Sequence, residues 1–177
     1  GKANSLFVVG WNQARTEWLY FTDPIFKTEY GVFVRSDSTL NYRNIQDLKG
    51  LTIGVYGPSN TSKSLKSIKT RVKNIRIDLL HDDILAFKKL AAGRVDAVYS
   101  NRNVGLSILK RHQIKQLKYA GKHRELKYFI GFVKKSTSKE RVDRFNSSLK
   151  KMIETGEVRK ILKKANLSIA EPEKKTE

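Results

Sequence analysis

Between residues 51 and 120 the chain repeats one pattern three times: a short apolar run of strand type, a break, and an amphipathic stretch at helical spacing. Residues 51–56 (Leu-Thr-Ile-Gly-Val-Tyr) read as a buried strand closed by Gly57, Pro58, Ser59 and Asn60, after which Leu65 and Ile68 recur at helical spacing among lysines. Residues 75–80 alternate as a strand should; Asp82 and Asp83 then offer N-caps to a helix carrying Ile84, Leu85, Phe87, Leu90 and Ala91, stopped by Gly93. Residues 95–99 and 116–120 read as strands on either side of a helical stretch with Val104, Leu106, Ile108 and Leu109. Parallel strands need a crossover, and helices supply it, so βα units in series predict a parallel sheet flanked by helices.

The flanks of this middle region differ. Residues 5–9 and 30–35 are strand candidates separated by an aromatic-rich stretch, 11–26, and residues 128–133 are another. Val142, Phe145, Leu149, Met152 and Ile153 predict a helix up to Gly156, and Val158, Ile161, Leu162 and Ala165 a last short one. The chain would then cross into the middle along 30–35 and out of it along 128–134, which is the arrangement of two lobes joined by a two-strand hinge. The expected division is one lobe from 1–34 and 129–167, a second from 35–128, and a flexible, solvated tail over 168–177.

Composition narrows the class. In 177 residues, 39% apolar and 10% aromatic content is too much for a disordered basic tail. No run approaches the roughly 18 apolar residues of a membrane span, and no charged-then-apolar leader opens the chain, so a soluble piece is expected whose export signal is absent or removed. The absence of Cys excludes disulfide scaffolds, thiol nucleophiles and Cys-ligated zinc. Thirty-six Lys and Arg against 17 Asp and Glu give a net charge of +19, which raises nucleic-acid binding. The cations are spread, however: Lys63, Lys66, Lys69, Lys88, Lys89, Lys110, Arg111, Lys150, Lys151, Lys163 and Lys164 fall mostly on the polar sides of predicted helices. No basic stretch interleaves exposed aromatics, and a basic nucleic-acid-binding module stays only as a lesser alternative.

Five blocks stand in register along the chain: Gly1-Lys2-Ala3-Asn4; Arg15 followed by Phe21-Thr22-Asp23-Pro24; Asp47-Leu48-Lys49-Gly50 leading into Ile53-Gly54-Val55; Gly93-Arg94-Val95-Asp96-Ala97; and Gly156-Glu157-Val158 with Ile161. Together they resemble the periplasmic solute-binding proteins of polar amino acid ABC transporters, the family 3 extracellular solute-binding proteins, over nearly the whole chain up to about Leu167. The resemblance implies an α/β fold of the two-lobed periplasmic binding protein type II, with parallel-sheet lobes and a two-strand hinge. It also implies a gap: the strand and helix that open lobe one in that family have no counterpart here. Lobe one is therefore expected to be incomplete, with apolar sheet surface left uncovered.

The same resemblance assigns a site. Arg15, six residues before the Phe of Phe-Thr-Asp-Pro, is implied to clamp a ligand carboxylate, a role suited to a guanidinium because its planar fork of donors matches a carboxylate bidentately and stays charged when desolvated. Gly10 joins it, and Trp11 reads either as a pocket wall or as a core aromatic. Ser59, Asn60 and Thr61 lie in a loop before a helix, where free N–H groups and the helix dipole favour an anion; simple N-capping is the alternative reading of those residues. Asn101 is implied at a strand end where amino-acid-binding members carry an Asp for the ligand ammonium; an amide cannot neutralise that charge. Asp96 is implied to be structural.

Enzymatic readings are poor. Residues 57–64 come close to a phosphate-binding P-loop, but Ser62 stands where its second glycine would be and Pro58 removes an N–H. His81, His112 and His123 are isolated and read as surface or capping residues, no Gly-x-Ser-x-Gly occurs, and Asp82-Asp83 is explained by capping. The expected function is capture of a small anionic or amino-acid-like ligand between two lobes in the periplasm, by a monomer without metal or organic cofactor, for delivery to a membrane transporter permease. The alternative is a ligand-sensing input domain of a larger signalling or enzyme protein.

Overall fold

The computed structural model describes residues 3–165 and 167–170. The chain forms two compact units, Gly1–Thr28 with Leu126–Glu177, and Glu29–Glu125. Elements follow in the order β1 (Ser5–Gly10), α1 (Gln13–Thr16), β2 (Leu19–Phe21), β3 (Phe26–Arg35), β4 (Thr52–Tyr56), α2 (Asn60–Lys69), β5 (Arg76–Leu80) and α3 (Asp83–Ala91). They continue with β6 (Ala97–Asn101), α4 (Arg102–Arg111), β7 (Leu117–Val133), α5 (Lys139–Glu154), α6 (Glu157–Lys164) and β8 (Ser168–Ile169).

In the central unit the βα pattern yields the parallel pairs it predicts. β4 runs parallel to β5 (Thr52↔Arg76 to Tyr56↔Leu80) and to β6 (Ile53↔Ala97). β3 closes the other side of β6 antiparallel, Tyr30↔Asn101 to Phe33↔Val98, so the sheet is mixed. Because β4 is central, Ile53, Gly54 and Val55 are all buried, as a continuous apolar run requires. The entry to β6 is clipped to β4 by Asp96, whose Oδ2 accepts the Thr52 N–H at 2.7 Å.

The core of this unit gathers Phe33, Phe87, Leu90, Val95 and Val98. Each such side chain contributes roughly 1.5–3 kcal/mol when fully buried. α4 crosses close over this core at Gly105, where a Cβ would stand 2.3 Å from Phe33 Cζ.

Two strand candidates, 116–120 and 128–133, prove to be one strand, β7, of 17 residues. The seven residues between them include five polar or charged ones, Lys122, His123, Arg124, Glu125 and Lys127, together with Gly121, which in sequence reads as a break. In the fold Gly121 instead permits a close approach, since a Cβ there would lie 2.2 Å from the Tyr42 carbonyl oxygen.

In the terminal unit the pairs are antiparallel. β1 and β2 flank β7, through Ser5↔Phe132 to Gly10↔Tyr128 and through Leu19↔Val133 to Phe21↔Gly131. A bulge between Leu6 and Val9 places Val8 at φ 60. α5 and α6 contribute Leu149, Val158 and Leu162 to a core with Ile25 and Phe26. β1 leaves Leu6, Phe7 and Val8 exposed, Phe7 at 73%, the uncovered apolar surface expected of an incomplete lobe. The segment read as tail starts in order: Ser168–Ile169 pair with Phe26 and Lys27, and Ala170 is buried. Its remainder, 171–177, lies outside the described residues, as do Gly1 and Lys2.

Candidate functional site

In the terminal unit the expected residues cluster at the end of β1. Asn12 caps α1, its Oδ1 accepting the Arg15 N–H at 2.9 Å. That turn swings the half-buried Arg15 side chain back so that Nη1 donates to the Gly10 carbonyl at 2.6 Å. A guanidinium has five N–H donors. The others on Arg15 meet no acceptor among the described residues. Trp11 beside it is 56% exposed.

In the central unit Ser59 is the N-cap of α2. Its hydroxyl accepts the Ser62 N–H at 3.1 Å and donates to the Tyr56 carbonyl at 2.6 Å, while Ser62 Oγ accepts the Ser59 N–H at 3.0 Å. The Ser59 side chain is thus engaged within its own loop. What the helix start has left over are the N–H groups of Asn60 and Thr61, which meet no acceptor among the described residues. The sequence reading weighed Ser62 only as the residue in place of a P-loop's second glycine, not as a capping partner. The signal was present, because a hydroxyl three residues after an N-cap can close a capping box.

Asn101 ends β6 and caps α4: its Oδ1 accepts the N–H of Asn103 at 2.9 Å and of Val104 at 3.3 Å. Since β4 and β6 are parallel, the loop holding Ser59, Asn60 and Thr61 and the Asn101 cap share the carboxyl edge of the sheet, the edge where α/β sheets bind ligands. A polar cleft of about 490 Å³, lined by residues including Arg35, Arg43, Asp47 and Asp96, occupies the opposite edge, away from these residues. There the Asp47 carboxyl is held below its ordinary range by the N–H groups of Arg43 and Asn44.

His123 is a correction. It is half-buried rather than a surface or capping residue, and its Nδ1 stands 2.5 Å from the Tyr99 hydroxyl. The sequence hid this because its partner lies 24 residues away on another strand. Burial, with Arg124 and Arg71 nearby, pushes its pKa down, and burial pushes the Tyr42 phenol up to about 12. His81 and His112 are exposed, as read. Among the described residues no group of three His, Cys, Asp or Glu could hold a metal ion, and no helix is long and apolar enough to cross a membrane.

No model of a known protein family matches the chain. A probable amino-acid-binding protein of Bacillus subtilis strain 168, YxeM, is 34% identical over 107 residues, 60% of this chain and 39% of that protein. The match thus spans well under half the length of that relative. A histidine kinase sensor domain with similarity to periplasmic binding proteins superposes with a TM-score of 0.78 over 96% of this chain and 72% of its own, at 19% identity. An ancestral arginine-binding protein bound to arginine superposes with a TM-score of 0.72 over 88% of this chain and 68% of its own, at 25% identity. The fold is therefore that of the type II periplasmic binding proteins, matched over part of their length.

Proposed function

From this likeness to amino-acid-binding and substrate-binding proteins, we propose that the chain binds a small solute carrying a carboxylate, an amino acid or a close relative, outside the cytoplasm and delivers it to a membrane permease. The observation that carries this reading is Arg15, whose guanidinium is anchored to the Gly10 carbonyl with its other donors unmet among the described residues. A cation so placed is held ready for an anion rather than spent on an internal pair. In this reading the backbone amides of Asn60 and Thr61 are the loop's donors to an anion, and Trp11 beside Arg15 offers an apolar wall. Asn101 sets selectivity, because its oxygen is committed to the α4 cap and its uncharged amide cannot neutralise an ammonium. No catalytic step is assigned; the relatives and neighbours above are binding and sensing proteins.

The test is a thermal-shift and calorimetric screen of L-amino acids, dicarboxylates and other small anions against the chain and Arg15→Ala. A solute at a hundred times its Kd adds about 2.7 kcal/mol of stability. Loss of a charge-assisted contact should weaken binding about 10- to 100-fold in Arg15→Ala. A solute bound equally well by both proteins refutes the assignment. A second reading, ligand sensing without delivery, is favoured by the superposition on the kinase sensor domain. Solute-dependent stimulation of a transporter's ATP hydrolysis separates delivery from sensing.

A further inference from the structure

The polar cleft of about 490 Å³ lies at the amino edge of the central sheet, where β3 ends and β4 and β6 begin. Small-molecule pockets measure roughly 300–1,000 Å³, so it has room for one. Its walls come from three directions: Arg35 at the end of β3, Leu51 and Asp96 just before β4 and β6, and Leu40, Arg43 and Asp47 from the segment between β3 and β4. That segment is pinned to the strand beside it. The Ser36 N–H donates to the Gln116 carbonyl at 2.8 Å, the Tyr42 N–H to the Ala120 carbonyl at 3.3 Å, and Lys118 Nζ to the Ser36 and Ser38 carbonyls at 3.0 and 2.9 Å. The cleft is therefore preformed.

Its charged groups are fixed by the fold but only partly spent. Asp47 Oδ2 accepts the N–H groups of Arg43 and Asn44 at 2.7 and 3.0 Å, and Asp96 Oδ2 accepts the Thr52 N–H at 2.7 Å. Each carboxylate keeps a second oxygen that meets no donor among the described residues. Arg35 is half-buried, and its ion pair among the described residues is a 3.5 Å approach of Nε to Asp37, whose side chain is 81% exposed. Water screens such a pair, and Nη1 and Nη2 remain for other acceptors. The Arg43 guanidinium makes no hydrogen bond or ion pair among the described residues and acts on Asp47 only as a neighbouring charge. Two guanidiniums and two carboxylates cancel, so a bare anion or a bare cation meets as much repulsion as attraction. A molecule bearing both an anionic group and hydroxyls satisfies all four.

We propose that this cleft is a second binding site, for a small hydroxylated anion of the sugar-phosphate or sugar-acid class. Arg35 and Arg43 take the anionic group, for which a guanidinium fork is suited whether the anion is a phosphate or a carboxylate. The free oxygens of Asp47 and Asp96 accept from the hydroxyls, and the half-buried Leu40 and Leu51 face the C–H groups of the sugar. The site lies on the edge of the sheet opposite Asn60, Thr61 and Asn101, so it stands or falls separately from the proposed solute contacts.

The experiment is an NMR titration of the ¹⁵N-labelled whole chain with glucose 6-phosphate, glucuronate, glucose and inorganic phosphate, following backbone amides residue by residue. The amides of residues 35–51 and of Asp96 should move with one or both sugar anions, and those of residues 59–61 should not. The tighter of the two anions identifies phosphate or carboxylate as the group the arginines hold. Glucose and inorganic phosphate, each lacking half of the required chemistry, should bind at least about tenfold more weakly than that anion. Arg43 is exposed, so Arg43→Gln tests the grip without disturbing the core, and the double variant Arg35→Gln, Arg43→Gln should weaken binding by about tenfold or more. Lys66→Gln, Lys69→Gln removes the same charge from the exposed face of α2 and should leave binding unchanged. The proposal is overturned by cleft amides that stay still up to about 10 mM of both sugar anions, by inorganic phosphate binding as tightly as glucose 6-phosphate, or by equal losses in the two double variants.

Discussion

Replacing Gly105 with alanine should reverse the ordinary preference of a helix. Alanine for an interior helical glycine normally gains about 1 kcal/mol. Here the added Cβ would stand 2.3 Å from Phe33 Cζ, 2.6 Å from Phe33 Cε2 and 2.9 Å from Phe87 Cζ. Neither ring has exposed surface, and Phe33 is packed edge-on against both Phe87 and Tyr119 with centroids 5.1 Å apart. The rings cannot yield, so α4 must lift. Overpacking of this kind costs about 1–3 kcal/mol, and such short separations call for the upper end, leaving a net loss of about 2 kcal/mol after the helix gain. Gly54→Ala is the matched control. Its Cβ would meet Val98, Val95 and Ala86 at 3.5, 3.6 and 3.7 Å, which is ordinary contact, so a neutral or stabilising change of up to about 1 kcal/mol is expected. Urea unfolding followed by circular dichroism measures both. A Gly105→Ala protein at least as resistant as the unaltered chain would show that α4 does not rest on Phe33.

Two further substitutions probe single polar groups. The Tyr42 hydroxyl is buried without a hydrogen-bond partner among the described residues, so Tyr42→Phe should leave urea stability unchanged or raise it by up to about 1 kcal/mol; a loss greater than that would mean the hydroxyl is satisfied after all. Asn101→Asp keeps an oxygen to cap α4 and adds a charge favoured at a helix start, so stability should move by less than about 0.5 kcal/mol. If Asn101 faces the ammonium of a solute, the same change should tighten binding of amino acids more than of simple carboxylates. Equal effects on both classes in calorimetry would remove Asn101 from that role.

Much of the local architecture was legible because it is written in short-range patterns. The βα units around β4, β5 and β6 follow from runs such as Thr52–Tyr56 and from caps such as Ser59 and Asp82, each of which acts within four residues of itself. The α5 and α6 helices were equally plain from their apolar spacing. The unity of β7 was not, because the polar residues around Gly121 are kept extended by packing against Tyr42, 79 positions earlier in the chain, and no local propensity records that. The pairing of residues 168–169 with β3 was hidden for the same reason.

The candidate residues divide along the same line. From the sequence came their identities, as the family resemblance implies them: a cation at Arg15, a hydroxyl-rich helix start at 59–61, and an amide at Asn101. Only the tertiary structure decided what each is free to do. It occupied the Ser59 hydroxyl with Ser62 and Tyr56, gave the Asn101 oxygen to α4, anchored Arg15 on Gly10, and turned a histidine that looked solitary into the end of a chain through Tyr99 to Ser64. A hydrogen bond depends on a few tenths of an ångström between atoms, and for groups distant along the chain that spacing exists only once the strands and helices have packed.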